Sequence, residues 1–77
     1  MKHFLDFVVR SLVDNPDDVQ ITETSGNGET IYRVSLHPED VGLVIGKGGR
    51  TIGSIRSLIN TASKTGDNLA VEVVENP

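Results

Sequence analysis

Apolar residues recur at Phe4, Leu5, Val8, Val9 and Leu12, a three-and-four spacing that lays one stripe along a helix. The spacing predicts a helix over 2–14. Asn15-Pro16 ends it, because the residue before a proline is biased away from helical conformation. Phe7 and Val13 fall off the centre of the stripe, and Phe7 is expected to pack at the edge of the core. The period then changes from helical to alternating. Val19-Gln20-Ile21-Thr22-Glu23-Thr24 alternates and carries β-branched residues, as a half-buried strand does. Ile31-Tyr32-Arg33-Val34-Ser35-Leu36 alternates again, with Tyr32, Val34 and Leu36 on one face. Ser25-Gly26-Asn27-Gly28-Glu29 between them is turn chemistry. Together they predict an antiparallel hairpin whose loop is slightly longer than the tightest types.

His37-Pro38-Glu39-Asp40 reads as a helix start, with proline at the first position and two acids in the first turn to complement the dipole. His37 is expected to cap that start or face solvent. The short helix runs through Val41 and Leu43 to about Ile45 and stops at Gly46. A further helix is predicted over 50–65. Ile52, Ile55, Leu58, Ile59 and Ala62 share its apolar sector. Arg50, Gly53, Ser57, Asn60 and Lys64 lie opposite, and Arg56 lies on the flank. Gly53 inside that helix costs up to ~1 kcal/mol against alanine, which implies close approach of a neighbouring helix or of a bound ligand backbone. Thr65-Gly66-Asp67-Asn68 closes the helix. Leu69-Ala70-Val71-Glu72-Val73-Val74 is a third strand with Leu69, Val71 and Val73 inward, and residues 75–77 form a fraying tail. The order α-β-β-α-α-β describes an α+β domain with helices over one face of a three-stranded sheet. Two helices precede the last strand, so it joins the hairpin through a crossover.

Between the two central helices lies Val44-Ile45-Gly46-Lys47-Gly48-Gly49-Arg50-Thr51-Ile52. Glycine takes positive φ without steric cost, and a corner without side chains lets another backbone come close. Gly49 passes straight into a helix, whose N-terminus favours a phosphate, and Lys47 and Arg50 add two cations there. Spacing separates the phosphate loops that this could be. A Walker A loop needs four residues between its first glycine and Gly-Lys, then Ser or Thr; here Gly42 to Gly46 leaves three, and Gly48 follows the lysine. A dinucleotide fingerprint would need glycine at Thr51 and a strand before it. What fits is Ile-Gly-x-x-Gly-x-x-Ile.

At 77 residues and with no cysteine, the chain reads as one small domain without a disulfide framework or thiolate metal site. Asp6 and Arg10 break the N-terminal apolar pattern, so it is neither a signal peptide nor a membrane span. The net charge of −4 argues against a polyanionic partner until its distribution is considered. Residues 41–66 hold Lys47, Arg50, Arg56 and Lys64 and no carboxylate. Residues 1–40 and 67–77 are each net acidic, so a net positive balance is confined to the glycine loop and the helix after it. An enzyme would need a nucleophile, a base and an orienting group that converge. His3 and His37 sit outside the loop and nothing clusters with them.

The loop Ile45-Gly46-Lys47-Gly48-Gly49-Arg50-Thr51-Ile52 resembles the GXXG loop of the KH domain, which clamps about four single-stranded nucleotides. The element order resembles the type II, prokaryotic version of that domain. Over nearly its whole length the chain is similar to the small single-KH proteins of the KhpA (YlqC) family. The resemblance implies a bacterial cytoplasmic RNA-binding protein, acting as an RNA chaperone or post-transcriptional regulator, with links to cell division and envelope growth. It implies a homodimer, or pairing with a larger Jag-type (KhpB) KH protein, and no cofactor, small-molecule substrate or membrane partner. Backbone amides of Lys47, Gly48 and Gly49 are expected to meet sugar-phosphate oxygens, with charge from Lys47 and Arg50. Ile45 and Ile52 brace the loop and border an apolar groove for bases, with Val44 and Arg56 beside it. A protein-assembly module on the same scaffold, whose signature would be a corrupted loop, and a single-stranded DNA binder are the alternatives.

Overall fold

The hairpin is the frame on which the helices pack. In the computed structural model, which describes residues 1–63 and 68–77, it is formed by β1 (Gln20–Gly26) and β2 (Glu29–Leu36), and β3 (Asn68–Glu75) adds a third strand. The strand order is β1-β2-β3, antiparallel between β1 and β2 and parallel between β2 and β3. A parallel pairing is what a helical crossover delivers. The hairpin is tighter than its composition suggested. Gly26 pairs with Glu29, which leaves a loop of Asn27 and Gly28 alone. Both have positive φ, 53° and 75°, as the two-residue turn that matches strand twist requires. The Ser25–Glu29 stretch read as loop is therefore mostly strand.

Three helices cover one face of this sheet: α1 (Lys2–Leu12), α2 (Val41–Ile45) and α3 (Arg50–Ala62). From the helices, Leu5, Val9, Val44, Ile52, Ile55 and Ile59 enter the core. From the sheet side they meet Val19, Ile21, Tyr32, Val34, Leu36 and Val71, with Leu69 and Val73 packed against the rim. The inward positions of β2 and β3 thus match the alternation in the sequence. The helical stripes are narrower than their periodicity implies. Phe4, Leu12, Leu58 and Ala62 are exposed, and Phe7, expected at the core's edge, is 70% exposed.

The end of α1 also departs from expectation. Val13 is already extended (φ −100°, ψ 159°). The buried Asp40 carboxylate explains why the chain leaves the helix there. It accepts from the backbone amides of Asp14 (3.3 Å) and Asn15 (3.0 Å) and from the Asn15 side-chain amide (3.2 Å). Burial alone would raise its pKa. The hydrogen bonds from Asn15 and Asp14, with His37 nearby, outweigh that and hold it below the ordinary carboxylate value. This one side chain ties the exit of α1 to the entrance of α2. His37 caps the same entrance, its Nδ1 accepting from the Glu39 amide at 3.1 Å. The entrance is a 3-10 turn, Pro38–Asp40, before α2 proper begins.

On the other flank, α3 is stitched to the free edge of β3. Arg56 donates to the Val71 carbonyl (3.0 Å). The Asn60 amide gives to the Leu69 carbonyl (3.3 Å) and accepts the Leu69 amide (3.4 Å). α3 ends at Ala62, with Ser63 extended. The expected last helical residues, Lys64 and Thr65, and the turn over 65–67 lie outside the described residues. The tail does not fray at Asn76. Its amide donates to the Leu36 carbonyl (2.8 Å), and its side chain donates to the Asp18 carbonyl (2.9 Å).

Candidate nucleic-acid interface

α2 has five residues and stops because a glycine succeeds it. Gly46 closes the helix, its backbone N–H donating a hydrogen bond to the Gly42 carbonyl at 2.9 Å, then turns away at φ 76°, ψ 171°. That backbone region is essentially restricted to glycine. Space restricts it too. A Cβ at Gly46 would lie 2.7 Å from Thr51 Cβ and 2.8 Å from the Thr51 amide nitrogen, and would also meet Thr51 Oγ1. Thr51, on the first turn of α3, is therefore the wall against which the corner is folded. Its role was not evident from the sequence, where Thr51 is an unspecified position of Ile-Gly-x-x-Gly-x-x-Ile.

Two further glycines complete the corner. Gly48 (φ 65°) and Gly49 (φ 80°) both take the left-handed region. The Gly49 amide donates to the Gly46 carbonyl (3.1 Å), and the Arg50 amide donates to the Lys47 carbonyl. The corner is thus closed by amides of Gly46, Gly49 and Arg50. The Gly49 amide, expected to face phosphate, is spent inside the turn. Lys47 and Gly48 form the tip. Both are exposed, and no atom lies within 4 Å of where a Gly48 Cβ would stand.

The structure sorts the remaining sequence-predicted residues by depth. Arg50 is exposed at the head of α3, beside Lys47. Ile45 is half-buried and packs against the core. Ile52 is buried beneath the corner and braces it. Val44, expected beside the groove, has no exposed surface and belongs to the core. A side chain on the inner face of so short a helix has nowhere else to go. Arg56 is exposed, but its guanidinium is anchored on β3 rather than aimed at the loop. Gly53 meets no neighbouring helix, since nothing lies within 4 Å of an added Cβ. It opens instead onto a shallow depression along α3 that Arg50, Ser54, Ser57, Leu58 and Thr61 also line.

Electrostatically the corner is simple. From Val41 to Ser63 there is no carboxylate. Lys47, Arg50 and the start of a 13-residue helix are its local sources of positive potential. Among the described residues, no group of three His, Cys, Asp or Glu side chains is placed to hold a metal ion, and no helix is long and apolar enough to cross a membrane.

Helix-hairpin-helix-corner-helix-strand order, a sheet with one antiparallel and one parallel pairing, and an intact GXXG corner between the central helices define a type II KH domain. Residues 2–74 match the family model for the KhpA/KhpB KH domain, and the chain belongs to that family. It is 41% identical over 76 residues to the RNA-binding protein KhpA of Chlamydia pneumoniae, covering 97% of each chain. It is 41% identical over 75 residues to the RNA-binding protein KhpA of Clostridium acetobutylicum, covering 96% of this chain and all of the relative. It is 44% identical over 72 residues to the RNA-binding protein KhpA of Mycobacterium bovis, covering 92% and 86%.

Proposed function

We propose that this chain binds single-stranded RNA at the corner Gly46–Arg50, without chemistry of its own. The carrying observation is the corner itself: three positive-φ glycines hold an exposed, cationic tip on the N-terminus of α3, with no acid in the flanking helices. Amides of Lys47 and Gly48 meet phosphate oxygens, and the side chains of Lys47 and Arg50 supply charge. Gly46, Gly49, Ile45 and Ile52 shape and brace the tip, so that the backbone of about four nucleotides approaches it closely. Val44 and Arg56 act from behind, one in the core and one on β3.

The test is to replace Lys47 and Gly48 with aspartate. Gly48 is exposed and has open space around it, and aspartate tolerates positive φ better than most residues. The variant should therefore fold, and it should lose RNA because two carboxylates stand where phosphate would sit. RNA affinity kept by the folded variant rejects the site. A deoxyribonucleotide of the same sequence, run beside the RNA, tests whether the grip requires ribose.

One site reading about four nucleotides binds weakly and selects little. Two linked sites gain effective concentration. We therefore read the chain as working in pairs, as a homodimer or with a Jag-type (KhpB) KH partner. Membership of the KhpA/KhpB family supports a cytoplasmic RNA chaperone or post-transcriptional regulator connected with cell division, cell shape and cell-wall biogenesis.

A further inference from the structure

The hairpin turn carries a reactive pair. Asn27 and Gly28 are the whole of the loop between β1 and β2. Asn27 is exposed, and its carboxamide hydrogen-bonds to none of the described residues. Gly28 follows at φ 75°, with open space where a side chain would stand. A carboxamide and the backbone nitrogen of the next residue can close a five-membered ring. Glycine hinders that closure least, because it has no Cβ and its backbone turns freely.

The other four asparagines of the chain lack this combination. Asn15 and Asn76 precede prolines, whose ring nitrogen has no hydrogen to lose. The Asn15 side chain is also held by Asp40, and that of Asn76 by the Asp18 carbonyl. Asn60 lies within α3, its carboxamide bound to the Arg56 carbonyl and to Leu69. Asn68 begins β3 and is followed by a bulky leucine.

We propose that Asn27 is a site of spontaneous covalent modification, gated by the turn that holds it. The Gly28 nitrogen loses its proton to base and attacks Asn27 Cγ. The N–Cγ bond forms, the Cγ–Nδ2 bond breaks, and the side-chain nitrogen leaves as ammonia with the proton that Gly28 gave up. Water then opens the succinimide. Breaking the new N–Cγ bond leaves aspartate. Breaking the original bond from the Asn27 carbonyl carbon leaves isoaspartate, with the chain running through the side chain. The net change is water for ammonia, without oxidation or reduction.

The fold sets the rate. Asn27 has φ 53°, in the left-handed region, where ψ is about +47°. With that backbone the following nitrogen stands nearly anti to Cβ, out of reach of Cγ. Ring closure therefore waits for the turn to open locally. The two products then differ. Asp-Gly suits this turn as Asn-Gly does, so aspartate keeps the hairpin and adds one negative charge to a net −4. Isoaspartate lengthens the backbone by one carbon and spoils the two-residue loop. It also displaces the Gly28 carbonyl, which accepts the Asn68 amide at 3.1 Å and anchors the first residue of β3. The turn lies at the Asn60 end of α3 and the glycine corner at its head, with a 13-residue helix about 20 Å long between them. The inference stands apart from the RNA reading.

The full chain, incubated folded and in parallel in urea that unfolds it, provides the test, with mass spectrometry of its peptides reading each asparagine. Asn27 should convert first of the five in both samples, several-fold faster when unfolded, and faster at mildly alkaline than at neutral pH. Methyl transfer to the free α-carboxylate by an isoaspartyl methyltransferase should label the aged wild type and leave freshly made Asn27→Asp unlabelled. That variant should keep the wild-type circular dichroism spectrum. An Asn27 that stays intact in the folded chain while the unfolded chain converts overturns the proposal. So does another asparagine that converts first in the folded chain. Equal rates in the two samples would overturn the gating by the turn.

Discussion

Gly46→Ala is the substitution that most directly probes how the corner is built. Two costs combine. An alanine held at φ 76°, ψ 171° sits in a region that glycine alone populates freely, a strain of about 1–3 kcal/mol. Its Cβ would also stand 2.7 Å from Thr51 Cβ and 2.8 Å from the Thr51 nitrogen. The second of these is backbone at the head of α3 and cannot rotate aside, so α3 must shift or Gly46 must leave its conformation. Crowding of that kind adds about 1–3 kcal/mol. A domain of this length has a total stability of only about 4–12 kcal/mol. Gly48→Ala is the matched control. Gly48 has a similar positive φ of 65° and nothing within 4 Å, so it suffers only the left-handed penalty of about 1–2 kcal/mol. Thermal unfolding followed by circular dichroism reads the difference, at about 4–8 °C per kcal/mol for domains of this size. Gly46→Ala should melt at least about 10 °C below wild type, and clearly below Gly48→Ala. Equal melting temperatures for the two variants would refute the claim that Thr51 walls the corner.

Asp40→Asn should destabilise the domain at neutral pH, by weakening the clasp on Asp14 and Asn15. The Asp40 carboxyl is held below its ordinary value in the folded chain. Its stabilising contribution is therefore present above the unfolded pKa and is lost as pH falls through the folded one. Wild-type stability should drop on acidification through that window, and the variant should lose this part of the drop; parallel acid titrations of the two proteins by urea unfolding decide it. Ile59→Ala removes a side chain with no exposed surface and should cost about 2–5 kcal/mol in urea unfolding, without changing RNA affinity where the protein stays folded. RNA affinity should fall with salt on a shallow line. Two cations at the tip set a slope of log K against log salt near about −1.4 for a single strand, and a slope several times steeper would mean that other basic groups share the contact.

The alternation of β2 and the glycine corner could both be read from sequence because each rests on a local rule. Side-chain period is 2 in a strand, and glycine permits positive φ. Three features could not be read that way. Asp40 shapes the end of α1 from 25 residues away in the chain, and no local pattern announces such a partner. The outward turn of Phe4, Phe7 and Leu58 reflects how little surface a small core can cover. Periodicity says which residues share a helix face, and the neighbouring elements decide how much of that face is buried. Arg56 looked like one more cation beside the loop. Only the position of β3 reveals that its guanidinium is bound to a carbonyl.

Contact between the tip of the corner and a nucleic-acid backbone is the central claim. Amide chemical shifts, followed while a short single-stranded RNA is added at low ionic strength, read that contact residue by residue. Lys47, Gly48 and Arg50 should move first and furthest, while Val19 and Ile21, buried on the β1 side of the core, stay still. Shifts confined to other surfaces, with Lys47 and Gly48 unmoved at saturating RNA, would contradict it.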